Sequence, residues 1–336
     1  MKVLKRFGIL LLALLCVLPL LSSCKKDEEE ETVYYTVTFN SNGGNPVEKQ
    51  TVAAEEAVLE PTPPTREGYI FEGWRNEHGS FWNFSSDFVT SDITLTAEWI
   101  SPTEVFAYAP IDENTAKITA LKQTYPTLAV PSVIEGLLVT TICDGVFADL
   151  SFKEVESITL PHTITSVGHS AFANCRNISI IFDPRAELTE IGESAFYDCN
   201  LLSSVRFGEG LTSLAPEAFF GCSLLEEIRL PKSLTFLADN VFTDCSSLIS
   251  VMLHPLSHPD PEFHEIADSV FKGCNSLKAI YFHGTQAQFE ELCENGTDNL
   301  NQPFLDATPY FYSGEPVENQ SGDYWYFDNN GNPKLW

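Results

Sequence analysis

Seven cysteines between Cys143 and Cys293 are the residues with the widest chemical options in this 336-residue chain. Thiols can pair as disulfides, bind a metal or act as nucleophiles. Five of them, Cys175, Cys199, Cys222, Cys245 and Cys274, each follow a phenylalanine by three residues. No CxxC spacing occurs, so a thiolate metal site is not expected. On stacked strands, neighbouring Cα atoms lie about 4.8 Å apart and in-register Cβ vectors run parallel. A disulfide needs its Cβ atoms closer, near ~3.8 Å, so a buried ladder of free thiols is expected. Cys143 and Cys293 fall outside that ladder and stay unassigned. The stretch His254-Pro255-Leu256-Ser257-His258-Pro259-Asp260-Pro261-Glu262-Phe263-His264 gathers three imidazoles and two carboxylates. Its spacing fits no ligand motif, and an insertion between repeats is expected to be a solvated loop. No HExxH, GxSxG or phosphate-cradling loop is present, so no catalytic residue, metal or cofactor is expected.

The elements that must position these residues repeat along the chain. Phe147, Phe172, Phe196, Phe219, Phe242 and Phe271 are separated by 25, 24, 23, 23 and 29 residues, most of them preceded by Ala or Val. Between copies runs a leucine-rich stretch such as Leu225-Glu226-Glu227-Ile228-Arg229-Leu230. One such unit cannot bury its own apolar face, so the units must stack into a solenoid with a shared core. Ile228 and Leu230 then point inward and Arg229 outward. The same register makes Thr159, Arg206, Arg229, Met252 and Tyr281 the outward row, with Ile181 or a neighbour in an irregular copy. These five are the candidate ligand-binding residues, and Arg206 and Arg229 are expected to stack on adjacent rungs and grip a carboxylate or sulfate. The competing reading is a solvated face screened by Glu209, Glu226 and Glu227. Three irregularities stand out: Phe152 replaces the first cysteine after a two-residue insertion, the copy after Cys175 is one residue short, and the last interval is longer.

Ahead of the repeats, residues 33–100 read as a small β unit. Val33 to Phe39 alternates, Gly68 to Trp74 and Asp92 to Trp99 give two further strands, and Pro61, Pro63 and Pro64 force an extended path. Phe71, Trp74, Phe84 and Trp99 could form a carbohydrate platform or simply fill a small core. After the repeats, residues 284–336 contain a short helix near Gly284 to Leu292, a strand at Thr308 to Ser313 and a hairpin around Tyr324 to Phe327.

The N-terminus sets the compartment. Lys2, Lys5 and Arg6 precede an apolar run, Phe7 to Leu21, too short to span a bilayer comfortably. Leu21-Ser22-Ser23-Cys24 resembles the lipobox of bacterial lipoproteins, which implies cleavage after residue 23 and diacylglyceryl transfer to the Cys24 thiol. Lys25-Lys26-Asp27-Glu28-Glu29-Glu30-Glu31, within an acidic tether of residues 24–32, resembles the export signal of surface lipoproteins in Bacteroidota. That resemblance implies a protein lipid-anchored in the outer membrane and facing the exterior. The formal net charge of -28, from 47 acidic and 19 basic residues, argues against nucleic acid as a partner.

Two further resemblances cover most of the remainder. Tyr35 to Asn40, Gly68 to Trp74 and Val89 to Trp99, in that order, resemble the internalin-type B repeat, or Listeria–Bacteroides repeat, which implies a β-grasp-like spacer or interaction module. Residues 104–283 resemble the BspA-like leucine-rich repeats of Bacteroides surface antigens, opening with an N-terminal cap of hairpin character, and residues 284–336 resemble the C-terminal cap of such proteins. Together they imply a mainly β repeat protein: a leucine-rich repeat solenoid preceded by a small β-grasp-like domain. The function implied is non-enzymatic binding or adhesion, through the repeat face, to a host or neighbouring-cell surface protein or glycan. Two alternatives stay open, a glycan-capture accessory protein of a nutrient-uptake system and a structural spacer in a surface complex. Glycan capture would show as an aromatic cluster around Tyr281 or the Tyr324 to Phe327 segment.

Overall fold

The structure is a computed structural model that describes residues 32–150, 155–256, 265–296, 301–314, 324–328 and 332–335. The signal segment, Cys24, the tether up to residue 31, Phe152 and most of the His254 to His264 stretch lie outside the described residues. The first unit is a four-stranded sheet of β1 (Tyr34–Asn40), β2 (Gln50–Ala53), β3 (Ile70–Arg75) and β4 (Ile93–Ile100), ordered β2-β1-β4-β3. β1 and β4 run parallel at its centre, and each carries an antiparallel partner on its outer side. This is the β-grasp arrangement, with the proline-bearing loop where a crossover helix would lie. Alternation decides which residues fill its core: Val37, Phe39, Leu95 and Ala97 from the central strands, closed by Trp74.

A single helical turn, α1 (Pro102–Val105), capped by the Ser101 hydroxyl, leads into the second unit. There β5 (Phe106–Pro110) and β6 (Thr115–Leu121) form the expected antiparallel hairpin. β7 (Thr127–Ala129), β8 (Val133–Ile134) and β9 (Leu137–Ile142) follow, and β6 pairs with β9 in parallel, which starts the stack. The junction is packed rather than hinged. Ile70 of the first sheet is buried in the same apolar cluster as Val105 and Phe106, and Lys122 Nζ donates to the Thr103 carbonyl at 2.7 Å.

The repeats alternate two short parallel strands with a tight turn. The strands are β10 (Ser157–Leu160), β11 (Ser166–Val167), β12 (Ser179–Phe182), β13 (Glu190–Ile191), β14 (Ser213–Leu214), β15 (Glu227–Arg229), β16 (Phe236–Leu237), β17 (Ser250–Leu253) and β18 (Ala279–Phe282). Each turn carries the phenylalanine, and the residues two before and two after it sit at positive φ: Ser194 and Asp198 around Phe196, Glu217 and Gly221 around Phe219, Asn240 and Asp244 around Phe242. This left-handed pair reverses the chain within a few residues, and Asn, Asp and Gly bear it most readily. The turn drives the phenylalanine ring inward. Phe147, Phe172, Phe196, Phe219, Phe242 and Phe271 are fully buried and stack at centroid distances of 5.0 to 5.8 Å, with planes within 18°. Burying one such ring contributes roughly 1.5–3 kcal/mol, so the ladder is a main source of stability.

The cysteines form the expected second ladder and carry free thiols. Each thiol donates to the carbonyl of the phenylalanine one rung earlier: Cys175 to Phe147, Cys199 to Phe172, Cys222 to Phe196, Cys245 to Phe219 and Cys274 to Phe242, at 3.0 to 3.3 Å. Both ladders end at a cap made of α2 (Gln286–Gly296), α3 (Gln302–Asp306) and β19 (Thr308–Tyr312). Phe304 of α3 stacks on Phe271 at 5.0 Å, and the buried Asn301 side chain accepts from Phe271 N–H, where earlier rungs meet a backbone carbonyl. β20 (Tyr324–Phe327) pairs with β19, and β21 (Pro333–Leu335) turns back on β20 as the expected hairpin.

Candidate ligand-binding face

The outward row exists as two separated patches. On the first, the sheet β7-β10-β12 sets Thr159 in register with Ala129 and Ile181, so the irregular copy contributes Ile181, which is 48% exposed. On the second, the sheet running β15-β17-β18-β19 aligns Arg229, Met252, Tyr281 and Tyr310 on consecutive strands. Parallel in-register pairing of strands three to five residues long is what lines them up.

Arg206 corrects the expected pair of stacked guanidiniums. The copy after Cys175 reaches Phe182 one residue early and then takes a longer turn through Asp183 to Ala186, closed by Asp183, whose carboxylate takes the Arg185 guanidinium and backbone N–H. The Arg185 hydrogen bonds hold the Asp183 carboxyl far below the usual carboxylate range. This turn displaces the next strand, so Phe207 bridges to Leu188 and not to β12. Among the described strands, no ladder joins the Arg206 segment to β15. Arg206 donates to the Pro184 carbonyl at 3.0 Å, whereas Arg229 donates to Glu227 Oε1 at 2.6 Å and to Asn332 Oδ1 at 3.3 Å. The two arginines thus face different partners.

Met252 also departs from expectation. It lies in the outward row but is only 5% exposed, flanked in register by Arg229 and Tyr281. The C-terminal hairpin returns to the same face beside it. β15 and β20 are four strand steps apart, about 19 Å at ~4.8 Å per step. Asn332, held to Asp328 at the end of β20, nevertheless reaches Arg229. The sheet therefore curls, so that the hairpin, paired as its last two strands, brings Asn332 back to the Arg229 end of the face. Trp325 sits fully buried in this arrangement, donating from Nε1 to the Phe282 carbonyl at 3.3 Å.

Around Trp325 the structure assembles an aromatic cluster. Its ring meets Tyr281 at 5.6 Å, Tyr312 at 5.1 Å and Phe327 at 4.9 Å, each near-perpendicular. His254, His283 and Tyr312 stack in a column at 4.6 and 4.1 Å, and Tyr281 stacks on Tyr310 at 5.6 Å. Tyr312 and Phe327 remain exposed at the rim. Burial lowers the His254 pKa, with the His283 ring adding to the effect, so the column holds a neutral imidazole at neutral pH. Burial, with Tyr310 and Glu227 nearby, raises the Tyr281 pKa and keeps its phenol protonated as a donor. His283, Tyr310 and Tyr312 were missing from the sequence reading. They follow from strand alternation, because His283 lies two residues beyond Tyr281, and Tyr312 two beyond Tyr310, on the same face.

This face offers flat rings, neutral donors and one paired guanidinium, which suits binding. The repeat thiols are poor nucleophiles: burial pushes Cys175 and Cys274 up to about 12, and Cys199, Cys222 and Cys245 well above the ordinary thiol range. Among the described residues, no group of three His, Cys, Asp or Glu side chains is placed to hold a metal, and no helix is long and apolar enough to cross a membrane.

Comparison with known proteins agrees with this architecture. The sequence pattern of the BspA type leucine rich repeat region matches in six copies over residues 136–249 and 191–308, and that of the Listeria-Bacteroides repeat domain matches residues 35–98. Internalin H of Listeria monocytogenes is 38% identical over 81 residues, 23% of this chain and 14% of that protein. The chain spans 8 to 14% of the length of the curated relatives it matches. Among solved structures, the leucine-rich repeat protein of T. pallidum is similar at 23% identity and a TM-score of 0.46, covering 59% of this chain and 97% of that one. A leucine-rich cell surface protein of Faecalibacterium prausnitzii is similar at 21% identity and a TM-score of 0.42, covering 69% of this chain and 59% of that one.

Proposed function

The chain belongs to the BspA-type leucine-rich repeat family, and from that premise we propose that it is a non-enzymatic, lipid-anchored binding protein of the cell surface. It engages a protein or glycan of a host or neighbouring cell through the outer face of its last repeats. The observation that carries this reading is the partly exposed row Arg229, Tyr281 and Tyr310, with Tyr312 and Phe327 exposed at the rim around Trp325. A surface that gathers this many large rings is a recognition feature, since Tyr, Trp and Arg dominate the energetics of binding patches. The acidic tether and the first β unit hold this face away from the membrane, where like-charge repulsion extends the linker. Anchoring rests on the lipobox-like Cys24, and display on the acidic residues after it.

Glycan capture for nutrient uptake is the second reading, favoured by the same aromatic cluster, where tyrosine rings and a neutral imidazole can pack on sugar faces. Both readings are tested by presenting the soluble chain from Thr32 onward to immobilised glycans and extracellular proteins. Saturable binding to a protein supports adhesion, saturable binding to a glycan supports capture, and no binding to either leaves the structural-spacer role in its place.

A further inference from the structure

A cleft of about 550 Å³ opens between the two units, within the ~300–1,000 Å³ typical of small-molecule sites. One wall is aromatic and comes from the first unit: Phe71, Trp82, Phe84 and Trp99 line it, each half-buried, with Tyr69 exposed at the mouth. The other wall is the first rung of the repeats, Thr127 and Ala129 of β7 and Thr159 of β10, beside Tyr125. The aromatic wall is preorganised. Phe71 is fixed edge-on by Trp74 at 5.4 Å and Trp99 at 5.6 Å, and Trp99 donates to the Ser41 carbonyl at 3.1 Å. The Trp82 indole N–H is out of solvent yet finds no partner among the described residues.

We propose that this junction cleft, which takes in the first patch of the outward row, binds a neutral oligosaccharide, as a site separate from the outer face of the last repeats. The chemistry of the walls selects that class. A pyranose has apolar C–H faces that lie on aromatic rings and a rim of hydroxyls that need both donors and acceptors. Here the rings are supplied from one side, hydroxyl donors and acceptors by Thr127 and Thr159, and carboxylate acceptors by Glu60 and Glu72. Anionic ligands are disfavoured by those two carboxylates and by the net charge of -28. The single lining guanidinium, Arg66, is stacked on Tyr69 at 3.9 Å and bonded to the Asn42 carbonyl. An extended peptide added as a strand fits less well, although β3 and β7 are both edge strands. The free side of β3 is already used by a bridge from Arg75 to Phe81 and by Trp82 N–H to the Trp74 carbonyl, and a bulge at Phe71/Gly73 breaks its pleat. β7 is only three residues long.

The test is a titration of the chain from Thr32 onward with cello-, xylo-, manno- and chito-oligosaccharides, followed by tryptophan fluorescence and calorimetry. At least one series should give a saturable signal. Phe84→Ala on the aromatic wall and Ala129→Trp, which obstructs the cleft from the repeat wall, should each weaken it at least about tenfold. Using both variants separates a lost contact from a disturbed fold, and thermal unfolding of each checks the latter. Lys272→Ala, an exposed side chain on a phenylalanine turn that belongs to neither binding surface, should leave this binding unchanged. No saturable response from any series would overturn the proposal, as would binding indifferent to both cleft variants. A proline-rich peptide that binds and is lost in the same two variants would overturn it in favour of peptide recognition.

Discussion

The Cys222 thiol donates to the carbonyl of Phe196, one rung earlier, at 3.3 Å. That carbonyl also accepts the Cys199 backbone N–H at 3.1 Å, so a single oxygen ties a turn to itself and to its neighbour. The same pattern recurs along the stack. It explains why a small residue with a soft donor follows the phenylalanines from Phe172 to Phe271 by three positions. A disulfide between rungs would remove the donor hydrogens and open these carbonyls.

Alkaline pH should therefore destabilise the repeats. The thiol pKa values lie above the unfolded value near 9.0, with Cys175 and Cys274 at about 12. Below pH 9 both states are protonated and the contribution is intact. As pH rises from 9 towards 12 the unfolded chain releases protons that the folded chain keeps, and stability falls. Urea midpoints measured at pH 7, 9 and 10.5 should drop over the last interval, and the drop should shrink in Cys222→Ala. A midpoint flat to pH 10.5 would contradict the thiol ladder.

Phe219→Ala should cost about 3–5 kcal/mol, the usual range for emptying a buried aromatic site. Phe219 is fully buried and stacked on both Phe196 and Phe242, so its cavity cannot collapse without separating rungs. Chemical denaturation of the soluble chain measures this directly, and a loss under about 1 kcal/mol would show that the rungs are not sharing one core.

Asn301→Ala should destabilise the end of the stack by about 1–3 kcal/mol, because it leaves the buried Phe271 N–H and Ala267 carbonyl unpaired. Hydrogen exchange should show the loss concentrated in the last rung and the cap. Uniform loosening along all repeats would argue against a capping role.

Cys24→Ser should release the protein from the membrane fraction, since no other segment of the chain is expected to anchor it and several acyl chains on one cysteine hold firmly. Replacing Asp27 to Glu31 with neutral residues should leave the protein membrane-bound but protect it from protease added to intact cells. Continued membrane attachment of Cys24→Ser would remove the lipoprotein reading.

Much of this architecture is written locally. The phenylalanine and cysteine ladders repeat within single turns, and the row of Arg229, Met252 and Tyr281 follows from a period of two on regular strands. What escaped the sequence depends on longer-range geometry. Arg206 occupies the outward position by count, but the Asp183 to Ala186 turn shifts its strand onto Leu188. Met252 is outward by alternation yet buried, on a face where Asn332 of the C-terminal hairpin returns to Arg229, a contact no periodicity encodes. The aromatic residues of the first unit serve core and cleft together: Phe71, Trp82, Phe84 and Trp99 pack on the buried cluster and also line the junction. Trp74 on β3 is buried with Phe39, while Trp82 on the following loop faces the junction. Composition alone leaves both readings open.

The central claim, recognition through the outer face of the last repeats, is tested most directly by measuring the affinity of the chain from Thr32 onward for the strongest array ligand, alongside the Tyr310→Ala/Tyr312→Ala double variant. Both side chains are partly exposed on that face and neither supports the phenylalanine ladder. The account predicts a variant that stays folded, with its midpoint lowered only by the lost ring contacts to Tyr281, His283 and Trp325, and a loss of at least about tenfold in affinity. Equal affinity of the two folded proteins would contradict it and move the recognition surface away from these repeats.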